Sequence, residues 1–199
     1  FDSSFSPSGN VFRGSAYAGR ANNGVRYETP TFGGLTAALS YGLGEPVGGV
    51  DAGSNSALNL AFASGPISAS LGYQVERANG NNVESIKYTR LGAGYDFGMA
   101  ALKVSYGKVE NIAAVNGAGA TEYQIGVDVP VGAALTLSGS YAKSDDNAKA
   151  GEESRKGFGI AAKYALSKRT FTYVGYERDT ADKADVTNSL FGIGVQHRF

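Results

Sequence analysis

Residues 191–199 read FGIGVQHRF. Phe191, Ile193, Val195, His197 and Phe199 alternate with Gly192, Gly194, Gln196 and Arg198. Side chains along a strand point alternately to opposite faces, so one face here is mostly apolar and the other small or polar. A terminus in water gains nothing from being pinned down and normally frays. This one keeps strand alternation to its last residue, an aromatic. It reads as part of a sheet, and what that sheet touches decides the fold.

The same pattern recurs upstream. Ile67, Ala69, Leu71, Tyr73 and Val75 oppose Ser68, Ser70, Gly72 and Gln74. Tyr123, Ile125, Val127 and Val129 oppose Glu122, Gln124, Gly126 and Asp128. Leu135, Leu137 and Tyr141 oppose Thr136, Ser138 and Ser140, and Phe158, Ile160 and Tyr164 oppose Gly157, Gly159 and Lys163. Period-two alternation with turn residues between predicts strands over 22–29, 35–44, 57–64, 67–77, 85–95, 99–110, 121–129, 134–143, 155–165, 169–178 and 188–199. No helical period of useful length competes. SIKYTRLGAGYDF (85–97) switches parity between Tyr88 and Leu91, which predicts a bulge there. The connections alternate in length: 65–66, 96–98, 130–134 and 167–168 are tight, whereas 45–56, 78–84, 111–120, 144–154 and 179–187 are long.

Composition narrows the class. The 199 residues hold 29 Gly but only 5 Pro, with 12 Tyr, 10 Phe, no Cys and no Trp. No disulfide framework or Cys/His metal site is available, so no metal or cofactor is expected. Lys plus Arg equals Asp plus Glu at 18 each, which gives no net field toward nucleic acid. No run approaches the roughly 18 apolar residues of a membrane helix. A membrane β-barrel escapes that test because its apolar face occupies alternate positions. Short turns at one end and long loops at the other match such a barrel. A soluble barrel or sandwich would turn the apolar face inward, and a closed barrel of this many strands would enclose more volume than its side chains fill. Phe32, Tyr41, Phe62, Tyr95, Phe97, Tyr106, Tyr164 and Phe199 fall near strand ends, as an interfacial aromatic girdle requires. The expected fold is all-β, a transmembrane antiparallel up-and-down barrel.

Eleven strands is an odd number, whereas bacterial single-chain barrels have an even one. FDSSFSPSGN carries neither the basic start nor the apolar core of a signal peptide. Residues 1–21 are irregular and turn-rich, with four aromatics and two Arg, and read as the trailing part of a loop. Further strands are expected N-terminal to them.

The run 19–45, GRANNGVRYETPTFGGLTAALSYGLGE, resembles the mid-chain segment of the trimeric general porins of Gram-negative bacteria, particularly the β-proteobacterial type. Arg20, Asn22, Asn23, Val25, Tyr27, Pro30, Phe32, Gly33, Gly34 and Tyr41 carry the match. The ending GIGVQHRF is similar to the porin C-terminus, whose last Phe serves as the signal for the outer-membrane assembly machinery; Phe199 takes that place. The resemblance covers essentially the whole chain. It implies a sixteen-stranded barrel of which residues 22–199 supply the C-terminal strands, with 1–21 as the end of the pore-constricting loop. It also implies an outer-membrane homotrimer among lipid and lipopolysaccharide, passing small ions and solutes through a wet lumen.

Face parity selects the lumen charges: Arg13, Arg20, Arg26, Arg90, Lys103, Lys163 and Arg198, against Glu28, Glu76, Glu122 and Asp128. The resemblance singles out Arg20 for the constriction, then Arg13 and Arg26. The excess of basic candidates leads us to expect a weak anion preference. The loops lean acidic through Glu45, Asp51, Asp145, Asp146, Glu152, Glu153, Asp179, Asp182 and Asp185, and read as solvated surface. DDNAKAGEE lacks calcium-loop spacing, and GLGEPVGG (42–49) matches no phosphate-binding loop. The lone His197 belongs at the membrane interface, and with no Gly-x-Ser-x-Gly elbow no hydrolase is expected. Two alternatives stay open: a substrate-specific channel, which a slide of lumenal Tyr would mark, and a plugged structural or adhesive barrel.

Overall fold

The computed structural model describes residues 5–17, 19–21, 23–44, 53–77 and 84–199. Its strands are β1 (Gly24–Glu28), β2 (Leu35–Gly42), β3 (Asn55–Ser64), β4 (Ile67–Glu76), β5 (Ile86–Asp96), β6 (Ala101–Glu110), β7 (Gly119–Val131), β8 (Leu135–Asp146), β9 (Ser154–Ala165), β10 (Thr170–Ala181) and β11 (Val186–His197). They form one sheet in chain order, each antiparallel to the next, with β1 and β11 at its two ends. This is the up-and-down sheet that the alternation predicted. The tight connections reverse the chain with Gly65, Gly98 and Gly132 at positive φ, which a Cβ would oppose. The loop expected at 78–84 and most of that at 45–56 lie outside the described residues, as do Glu45, Asp51 and part of GLGEPVGG.

Three expectations change. There is no bulge in β5, whose register is unbroken against β4 (Ile67↔Tyr95 through Glu76↔Ile86) and against β6 (Lys87↔Glu110 through Asp96↔Ala101). Leu91 and Tyr95 point outward and Tyr88 inward, so the apparent change of parity is an aromatic on the polar face of a regular strand. Strands on the long-loop side also run further than their apolar residues do. β8 extends to Asp146 and β10 to Ala181, which leaves only residues 182–185 between β10 and β11. Asp is a poor strand former in isolation, but here cross-strand pairing to an equally long neighbour holds it. Finally, the N-terminal stretch is not wholly irregular: it contains a helical turn, α1 (Ser8–Val11), and a 3-10 turn at Arg13–Ala16.

The two faces are inverted relative to a soluble domain. Outward positions carry Val25, Ile160, Phe191, Ile193 and Val195, each more than half exposed. The buried apolar residues are few and mostly small, among them Phe5, Val11, Phe12, Ala38, Val109 and Ala142. In water, an apolar expanse of this extent would drive association. In lipid it costs nothing, because acyl chains are as apolar as the side chains. The opposite face carries Ser, Asn, Gln, Gly and paired charges. The segment 5–17 lies on that polar face: α1 packs against β8, β9 and β10, and the 3-10 turn against β6 and β7.

Adjacent residues of β4 separate the two environments. Leu71→Arg places a charge in the middle of the lipid-facing band and is expected to lower stability by about 2–4 kcal/mol. Ser70→Arg, on the polar face, is expected to stay within about 0.5 kcal/mol. Urea unfolding of the protein folded into lipid vesicles measures both; equal losses would mean the face assignment is wrong.

Candidate functional site

The polar face holds a set of charges whose partners come from distant parts of the chain. The Glu122 carboxylate is fully buried. One oxygen accepts from the Gly14 backbone N–H at 2.7 Å, and the other accepts from the Arg90 guanidinium. The same guanidinium lies over the Phe12 ring, 4.4 Å from its centroid. β5 and β7 bring Arg90 and Glu122 together across Gly107 of β6 (Arg90↔Gly107, Gly107↔Glu122). Gly107 leaves room for the pair: a Cβ there would come within 2.9 Å of the Glu122 carboxylate and the carboxylate would have to shift.

Two further anchors hold the segment. Arg13 donates to Asp146 at 2.7 Å, and Arg155 of β9 donates to the same carboxylate at 3.1 Å and 3.2 Å. The Asp146 side chain is completely covered, so the two guanidinium groups replace its water. Asn10 of α1 donates its amide to Glu177 at 3.1 Å and to Asp179 at 3.3 Å, while Asn188 of β11 donates to the other Asp179 oxygen at 3.0 Å. Nearer the start of the segment, Gln124 donates to Ser6, and the Phe5 ring fills the space over Gly175 and Gly192. A Cβ at Gly175 would overlap that ring. The segment is thus fixed by an alternation of charge, amide and aromatic contacts, each bonding to the wall of the sheet.

The positions expected to line a lumen separate into groups. Arg26, Glu28, Arg90, Lys103 and Lys163 do point to the polar face, as do Glu76, Glu122 and Asp128. Arg26 pairs with Glu28 at 2.9 Å along β1. Lys103 donates to Asp128 at 3.0 Å, and Ser138 donates to its second oxygen at 2.6 Å. Lys163 stands over the Phe171 ring near the short-turn end. Arg13 and Arg90 are engaged with buried carboxylates. Arg20 is exposed, between the 3-10 turn and β1, and with Tyr17, Arg26, Asn55, Gln74 and Tyr88 it lines a cavity of about 710 Å³ between the segment and the wall. Arg198 lies just past β11, tied by its backbone N–H to the Arg169 carbonyl. Phe199 is fully exposed, its ring against His197.

Sequence reasoning missed the anchors Asn10, Asp146, Arg155 and Asp179. Their acidic, turn-forming composition places Asp146 and Asp179 in solvated loops, and it gives Glu177 no role. The signal was present in parity: Ser138, Ser140, Ala142, Ser144 and Asp146 continue one face without interruption, and Gly175, Glu177 and Asp179 do the same.

A polar inner wall, an apolar exposed outer wall and a chain segment pinned within define the wall of a transmembrane β-barrel. The family described as Gram-negative porins matches residues 2–184, and the chain belongs to it. It is 25% identical to an outer membrane porin of Bordetella pertussis over 90% of this chain and 58% of that protein. It is 33% identical to outer membrane porin protein 32 of Delftia acidovorans over 77% of this chain and 45% of that protein. Among solved structures, the anion-selective porin from Comamonas acidovorans superposes with a TM-score of 0.74 at 27% identity, over 90% of this chain and 60% of that one. The chain therefore spans roughly half of the curated relatives' length.

Removing the Glu122 carboxylate deletes the acceptor of both Gly14 and Arg90. Hydrogen bonds to charged groups contribute about 1.5–3 kcal/mol, so in Glu122→Ala amide exchange over residues 9–17 is expected to quicken by about tenfold or more. Exchange in β2 and β3, which pair with no strand that carries an anchor of the segment, is expected to stay unchanged. Hydrogen exchange of the membrane-embedded protein by mass spectrometry reads both regions.

Proposed function

We propose that this chain is the C-terminal part of an outer-membrane porin, a water-filled channel for passive diffusion of small hydrophilic solutes and ions. The observation that carries the reading is the arrangement of the polar wall, with the segment 5–17 held across it by buried carboxylates while charged groups beside it stay open to the cavity. In this reading residues 1–21 are the end of the pore-constricting loop. Arg20 and Arg26 set the field at the narrow point, and Arg13 and Arg90 hold the loop. Charges fixed at a constriction act on permeating ions through a short, poorly screened distance, so even one or two guanidinium groups bias selectivity. A weak anion preference follows, and the likeness to an anion-selective porin supports it. No residue needs to act as a nucleophile or base, so the chain is read as a channel and not as an enzyme.

The assembly expected with this function is a homotrimer in the outer membrane, surrounded by lipid and lipopolysaccharide and inserted by assembly machinery that engages the Phe199 end. Most strand tyrosines, including Tyr73, Tyr106, Tyr123, Tyr141 and Tyr176, point outward, whereas Tyr88 and Tyr173 point inward. That distribution supports a girdle in place of an aromatic slide, and so favours general diffusion over a substrate-specific channel.

Planar-bilayer recording of the full-length protein under a salt gradient tests the proposal. Openings that close in three equal steps with a reversal potential on the anion side are expected. Arg20→Glu is expected to reduce the anion-to-cation permeability ratio by at least about twofold. Folded, heat-modifiable protein that fails to conduct would refute the diffusion reading.

A further inference from the structure

The cavity beside Arg20 is more particular than a positively charged opening. The register gives its floor. One cross-strand row runs Arg26, Ser40, Ala57, Gln74 and Tyr88 over β1–β5. The next row toward the short-turn end runs Ala38, Asn59, Gly72 and Arg90 over β2–β5. β1 and β5 lie four strand spacings apart, about 19 Å along the sheet. Arg26 and Tyr88 therefore stand at the two sides of a trough whose floor is Ser40, Ala57 and Gly72. A Cβ at Gly72 would meet only the Asn59 amide, at 4.0 Å, so the space above it is open.

The two sides differ in chemistry. On one, Tyr17 meets Tyr88 edge to face, ring centroids 6.4 Å apart, and Tyr17 remains 51% exposed. An aromatic surface is thus left open to the cavity. On the other, Arg26 gives one bond to Glu28 at 2.9 Å and keeps the remaining donors of its fork. Above the trough, Ala21 packs on Gly42, where a Cβ would come within 2.7 Å of its methyl, and this seats the exposed Arg20. Among the described lining residues the one carboxylate is Glu122, and Gly14 and Arg90 occupy it. An inorganic anion would use the guanidinium groups and leave the rings unmatched. A sugar would find little for its hydroxyls on a floor of alanine and glycine, where Gln74 gives its amide to Glu76 at 2.7 Å. The unmet demand is for a flat apolar ring that carries a carboxylate.

We infer that this trough is a subsite for small aromatic carboxylates. The ring lies against Tyr17 and Tyr88 over Ala57 and Gly72, and the carboxylate is held by Arg20 and Arg26. A guanidinium takes a carboxylate through two parallel bonds, and a third ring extends an edge-to-face pair at little cost in order. A weak site of this kind slows one class of solute within a diffusion pore and does not turn the pore into a specific gate. The inference rests on the proposed reading of this cavity as part of the water-filled lumen.

The test uses full-length protein folded in detergent, with benzoate as the probe. Acetate, which lacks the ring, and benzylamine, which lacks the carboxylate, are the comparators. Saturation-transfer NMR reads binding without requiring conduction. Aromatic pairs contribute between about twofold and tenfold each, so benzoate is expected to bind about tenfold more tightly than acetate, and benzylamine not at all. Tyr17→Ala is expected to weaken benzoate about threefold or more and to leave acetate unchanged. Gly72→Val fills the floor from the wall, away from the segment, and is expected to give the same split. Arg20→Gln is expected to weaken both anions together. Equal affinity of native protein for benzoate and acetate would overturn the inference. So would benzoate binding undiminished in either Tyr17→Ala or Gly72→Val protein of native heat-modifiable mobility, since the signal would then belong to the detergent or to bare charge. In planar bilayers benzoate is expected to reduce the chloride current saturably, with the same order among the variants. Folded protein that binds benzoate in this way but passes no chloride would refute the diffusion reading and leave the subsite standing.

Discussion

Everything in this structure depends on one constraint: in a hydrocarbon solvent a backbone N–H or C=O without a partner costs several kcal/mol. The continuous antiparallel ladder satisfies those groups for β2 to β10, each of which has a partner on both sides. With the backbone so committed, side chains have only two directions to choose between. The outward set is free to be apolar and exposed because its solvent is lipid, and the inward set is free to be polar because its solvent is water. A soluble protein of this size would gather its large apolar residues into a core; here they form the outer surface, and buried apolar side chains are mainly those that meet the inner segment.

That segment is held by a different kind of interaction. Buried ion pairs are weak sources of net stability, since desolvation offsets most of the attraction. Their strength is geometric, because each of Glu122 and Asp146 is covered only when its particular partner is in place, and the Asn10 amide does the same for Asp179. Removing one member leaves the other uncompensated, so alternative placements of the segment are unfavourable even where the net stabilisation is small. Phe5 and Phe12 supply the apolar part, one over two glycines and the other beneath a guanidinium. Arg13 and Arg90 are consumed in this role, leaving Arg20 and Arg26 beside the cavity.

The two ends of the sheet differ for a related reason. At the tight turns the outward face ends in aromatics with no strand cation among them, and at the long loops aromatics give way to lysine and arginine within two residues. An interface between hydrocarbon and water accommodates aromatic rings at either end, whereas the cations stand beyond the apolar band, where water solvates them.

The sequence by itself determined the number of strands, their order and almost every facing direction, because alternation with period two is a local property and the solvent on each side is uniform along the strand. Leu71 against Ser70 is readable with no knowledge of a neighbour. Local signals failed where a residue's role is set across the sheet. Tyr88 broke the apparent rhythm because inward aromatics are rare, and only an unbroken register with β4 and β6 shows that the strand itself is regular. Asp146 and Asp179 carry turn-forming side chains, so their composition indicated loop, while pairing with long neighbours kept them in strands. Which carboxylate receives Gly14, Arg13 or Asn10 was decided by tertiary structure alone: those partners lie more than a hundred residues apart in the chain, and only the folding of the segment onto the wall brings them within hydrogen-bonding distance.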